Sequence, residues 1–145
     1  MKNAISKFIG IKTIMLCLLM TSLSMLSTTD MSGQSGLGED LYSTPQGNFV
    51  DAGTAIIRLE SELDVMREAL SHLNPNSPAY IETEAKYAYY DEIRMILVDG
   101  KEFGSNATAA AIAGGFRIFG SEVFDHITKT QRLNFKQSAI DLLNV

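Results

Sequence analysis

The side chains able to ligate a metal, move protons or attack a carbonyl are few and scattered. Cys17 is the single cysteine, and the histidines are His72 and His126. Glu122 and His126 stand four residues apart, with Asp125 between them. On a helix that spacing projects both from one face, and a divalent cation there would need further ligands, such as Asp91 or Glu92. The competing reading is a solvated Glu/His pair on an acidic surface. A Ser-His-Asp arrangement would need His72 or His126 as its base, and neither lies in a nucleophile context. There is no Gly-x-Ser-x-Gly, no phosphate-binding glycine loop and no His-Glu-x-x-His. No cofactor is expected.

Contact chemistry is better supplied. Four of the five tyrosines, Tyr80, Tyr87, Tyr89 and Tyr90, fall within eleven residues. Tyrosine offers a large, rigid, amphipathic surface at low entropy cost. Tyr80, Tyr87 and Tyr90 are the candidate binding residues, whereas Tyr89 shares the spacing of the apolar positions. The alternative is packing at the core boundary with each hydroxyl reaching water.

The elements that must position these groups are helical. Ala52, Ile56, Leu59, Leu63, Met66, Leu70 and Leu73 alternate steps of four and three, one face of a helix over about 49–73. Ile57 and Val65 flank the stripe, and Asn48 with Asp51 resembles a capping arrangement. Pro75 must stop this helix. Ser77-Pro78 reads as an N-cap followed by proline in the first turn, and a second helix runs over 78–99 to a C-cap at Gly100. Its apolar face is Ile81, Ala85, Tyr89, Ile93 and Ile96. So short a connection makes an antiparallel helical hairpin.

The third segment is rich in alanine and glycine. Ser105-Asn106 can cap a helix from Ala107, and Ala109, Ile112, Phe116, Phe119, Val123 and Ile127 keep helical spacing through Gly114, Gly115 and Gly120. Either the helix continues with a kink that lets another backbone approach closely at Ala111/Gly115, or it breaks near Gly120 with Ser121 capping a new one. A last helix is expected over about 130–144, with its final turn docked on the core.

The N-terminus supplies an address. Lys2, Lys7 and Lys12 precede an apolar core, Ile14 to Met20, and then a run rich in Ser and Thr, with no acidic residue before Asp30. This is the layout of a secretory signal peptide over 1–33. The alternative is an uncleaved membrane anchor over residues 5–27. Residues 34–47 read as a flexible leader, or else as an ordered cap whose Leu41 and Tyr42 tuck onto the domain. Residues 48–145 are the helical domain. Removing 1–33 deletes the cysteine and leaves 9 basic and 16 acidic residues, net −7. Such a chain repels nucleic-acid phosphates and anionic membranes.

Together these features predict a secreted or periplasmic all-α protein, a hairpin extended to a three- or four-helix bundle. Its expected role is non-enzymatic interaction or structural support, with a protein partner or a second copy of itself. A small metal-dependent or hydrolytic envelope enzyme using Glu122 and His126 is the alternative. A membrane-tethered helper that keeps its N-terminal helix is the other.

Overall fold

The structure, a computed structural model, describes residues 41–145. The expected signal peptide or anchor and the first part of the leader therefore lie outside the described residues. The chain is all-α over the described region. Four α-helices run as α1 (Ala52–Leu70), α2 (Pro78–Asp99), α3 (Ser105–Gly114) and α4 (Lys129–Leu143). Two 3-10 segments, Gly115–Gly120 and Glu122–Phe124, join α3 to α4. Among the described residues no helix is long and apolar enough to cross a membrane.

Helix α1 is shorter than the 49–73 expected, because its cap sits later and it ends at Leu70, before Leu73. Asp51, not Asn48, is the N-cap, and its carboxylate accepts the Thr54 backbone N–H at 2.8 Å. That bond to the charged form holds the Asp51 pKa below the usual carboxylate value. The buried line is Ala52, Ala55, Leu59, Leu63, Met66 and Ala69, while Ile56 and Leu70 are half-buried at its margins.

Helix α2 begins and ends where Ser77-Pro78 and Gly100 place it. The Ser77 hydroxyl accepts the Tyr80 N–H at 3.2 Å. Across the hairpin, Arg94 lies 4.0 Å from Glu60, and Arg67 donates to the Tyr87 hydroxyl at 3.0 Å. Numbers rise on one helix as they fall on the other, so α1 and α2 pair antiparallel.

The glycine-rich third segment follows the second alternative in part: it breaks at Gly120, and Ser121 stands at the N-cap of a new, though 3-10, turn. Helix α3 starts at Ser105 behind Gly104, which supplies no side-chain cap, instead of at Ala107 behind Ser105-Asn106. It tightens into 3-10 turns at Gly115, breaks at Gly120 and resumes for one short turn. The close approach is real, but a side chain makes it. A β-carbon on Gly115 would sit 2.9 Å from Tyr89 Cε1 and 3.0 Å from Ile93 Cγ1. Tyr89 is fully buried, and its ring centroid lies 4.9 Å from Phe119 and 6.0 Å from Phe116. Its hydroxyl donates to the Ile112 carbonyl at 3.2 Å. Phe124 and Phe135 extend this aromatic core toward α4.

Helix α4 opens with a reciprocal capping box, unread in the sequence. The Thr128 hydroxyl accepts from Gln131 N, and the Gln131 side chain accepts from Thr128 N. At its far end Leu143 is fully buried. The chain entering α1 is held from several sides. Val50 N donates to Leu143 O, Val145 N to Asn48 O, and Ala52 N to Phe103 O. The Thr108 hydroxyl donates to Val50 O at 2.7 Å. Arg58 donates to the carbonyls of Leu142 and Asn144.

Residues 41–47, the described part of the expected leader, lie against the helices. Leu41 and Pro45 are buried, and the Tyr42 ring meets Phe116 and Phe119 edge-on. Lys136 Nζ donates to Ser43 Oγ at 2.9 Å and lies 5.1 Å from the Phe116 ring centroid.

Candidate interaction face

The structure does not gather the three sequence-nominated tyrosines into one exposed patch. Tyr90 is only 2% exposed and belongs to the core, so it cannot offer its ring to a partner. The apolar spacing hid this, because Tyr89 and Tyr90 both turn inward, across the width of a broad buried face. Tyr80 and Tyr87 are half-buried. Tyr87 closes the turn end of the hairpin: its hydroxyl accepts from Arg67, and the guanidinium carbon lies 5.8 Å from its ring centroid. That hydrogen bond, with the Asp64 contact at 2.6 Å, pushes the Arg67 pKa up.

Glu122 and His126 do not share a helical face. The 3-10 segment that starts at Glu122 ends at Phe124, so the four-residue spacing no longer aligns them. Both side chains are exposed, and His126 lies beside Ile81, Ile127 and Gln131. The proposed supporting ligands are engaged elsewhere: Asp91 accepts from Arg94 at 2.9 Å, and Glu92 pairs with Arg117. Among the described residues no group of three or more His, Cys, Asp or Glu side chains is placed to hold a metal ion. His72 contacts Glu68 at 3.1 Å, one turn back on the same helix.

What the fold does assemble is the outer face of the hairpin, turned away from α3 and α4. On α1, Ile57, Glu60, Asp64 and Arg67 recur at helical spacing. On α2, Tyr87, Asp91, Arg94 and Val98 do the same. The Glu60–Arg94 and Arg67–Tyr87 pairs bring these two stripes side by side. The middle of the face is a shallow charged groove of about 380 Å³ lined by Glu60, Asp64, Arg67, Asp91 and Arg94. The register places Ile57 opposite the last turn of α2, where Val98 faces outward.

That open end is apolar. Ile57 is 68% exposed, Met95 42%, Val98 53% and Phe103 71%. The Ala52 N–H bond to the Phe103 carbonyl ties the post-α2 loop to the start of α1, which brings Phe103 to the same end. A separate recess of about 160 Å³ opens between the end of α2 and α3, lined by Ile96, Leu97, Ala107 and Ala110 together with Lys101 and Glu102. The periodic stripe in the sequence pointed at the buried side. These outward residues break that period, which is the signal that could have found them.

No protein-family model matches the chain, and no curated protein or solved structure matches it either.

Proposed function

We propose that the mature chain is an exported, non-enzymatic helical-bundle protein that works by binding another protein, with the open end of the α1–α2 hairpin as its contact surface. The observation that carries this reading is the gathering of exposed apolar side chains there. Ile57, Met95, Val98 and Phe103 are four of the six large apolar residues exposed in the described region. A clustered apolar patch bordered by charge has the make-up of an interface core and its rim. Export rests on the layout of residues 1–33, with its lysines, apolar core and Ser/Thr-rich run.

Site-specific photocrosslinking from position 98 or 103, in cells that make the protein, tests the contact surface. A discrete crosslinked product is expected from these positions and not from exposed Gln137 on α4. Equal labelling from all three would refute the assignment. Intact mass of the exported protein tests the address: the species should lack residues 1–33, and a full-length species would refute cleavage.

A further inference from the structure

Resting on that contact surface, we infer that its partner is a cationic apolar segment, an amphipathic helix or strand of another protein whose Lys or Arg residues flank its apolar face. The rim of the patch is acidic. Glu60 borders Ile57 on α1, and Asp99 and Glu102, both exposed, follow Val98 at the end of α2. The backbone adds to this field. A helix C-terminus carries partial negative charge on its last carbonyls, ordinarily offset by a basic residue in the last turn. Helix α2 has none there and carries Asp99 instead. Lys101, one residue past the cap, and Arg94, one turn before Val98 and 4.0 Å from Glu60, are the positive groups set against these three acids. Across residues 48–102 the chain has 11 acidic and 5 basic residues, net −6.

Charge decides between the occupants. A second copy docked symmetrically would set two acidic rims face to face, and an anionic lipid surface would be repelled. A cationic segment gains at the rim and at the helix terminus together.

Two synthetic amphipathic helices with the same leucine face, one bearing lysines and the other glutamates at the polar positions, test this against the mature protein by fluorescence anisotropy. The lysine peptide is expected to bind about tenfold tighter at low salt, since several weak rim pairs act together. The gap should close near 1 M salt, where the screening length falls to about 3 Å. Asp99→Asn with Glu102→Gln, both at exposed positions, should remove most of the preference. Circular dichroism of that variant checks the fold. Equal binding of both peptides, or a preference that survives these substitutions, overturns the cationic partner and leaves the contact surface standing. Binding of neither peptide, or binding unchanged by Val98→Ser with Phe103→Ser, overturns the contact surface itself. Adhesion to phosphatidylglycerol vesicles, or a dimer at low salt abolished by Phe103→Ser, would also overturn the cationic partner.

Discussion

Replacing Gly115 by alanine puts a methyl group where the core has no room for it. The new carbon would lie 2.9 Å and 3.3 Å from two atoms of the Tyr89 ring and 3.0 Å from Ile93 Cγ1. The ring cannot retreat easily. Phe116 and Phe119 pack around it, and its hydroxyl is tied to the Ile112 carbonyl. Overpacking a filled core costs about 1–3 kcal/mol. Alanine recovers about 0.4–1 kcal/mol by restricting the unfolded chain, since the backbone here has ordinary right-handed angles. The net expectation is a loss of about 1–2 kcal/mol, or roughly 5–15 °C in Tm for a domain of this size. Two sister substitutions calibrate the number. At Gly120 nothing lies within 4 Å of the added carbon, so alanine should stabilise by about 0.4–1 kcal/mol. At Gly114 the close atom is Ile96 Cδ1 at 3.1 Å, the end of a side chain that can rotate, so the effect should be near zero. Urea denaturation of the three variants gives the order Gly120→Ala, Gly114→Ala, Gly115→Ala from most to least stable. If Gly115→Ala matches Gly120→Ala, the Tyr89 ring is not fixed as argued and the account of this segment fails.

Burial, and secondarily the neighbouring Tyr90, push the Tyr89 hydroxyl pKa well above its ordinary value. Unfolded tyrosine ionises near pH 10 while the folded one stays neutral, so its contribution is complete below about pH 10 and is lost as pH rises further. The loss approaches about 1.4 kcal/mol per pH unit, and chemical denaturation between pH 9 and 11 should show a shallower fall in Tyr89→Phe. At neutral pH the same variant should lose about 0.5–1.5 kcal/mol with the bond to Ile112. Thr108→Val keeps the shape but removes the donor to the Val50 carbonyl, and should cost about 1–3 kcal/mol. Amide exchange at Val50 and Ala52 should quicken in that variant, and unchanged exchange there would refute the tie between α3 and the entry to α1.

Local rules carried the reading wherever local chemistry decides the structure. Ser77, Pro78 and Gly100 bound α2 because caps and proline act within a turn of themselves. The all-α class followed from a 3.6-residue period that no strand could satisfy. Failures came where distant residues decide. Ala55 and Ala69 carry little apolar signal, yet both are buried in the folded chain. Whether Gly115 kinks or breaks a helix depends on a ring 26 residues earlier in the chain. Tyr90 could be recognised as core only once α2 was seen to be covered across a broad arc. Glu122 and His126 lost their alignment because their spacing means one face only while the helix persists, and here the helix gives way to 3-10 turns that break at Gly120 and end at Phe124.

The uneven charge of the chain takes on a different meaning once its cations are located. From composition, the net +1 of residues 103–145 offers itself as the complement to the acidic hairpin. Arg117 does reach the hairpin, at Glu92. Arg132 instead donates to the Phe124 carbonyl at 2.7 Å, and Lys136 reaches Ser43 and the Phe116 ring. On the hairpin itself, Arg58 is directed to the carbonyls at the end of α4. These cations hold the fold's loose ends, where a charged donor to a carbonyl is worth more than an exposed ion pair. The acids near the end of α2 are left facing water beside an apolar patch. A second copy brings the same excess of negative charge and cannot relieve it, whereas a cationic partner can.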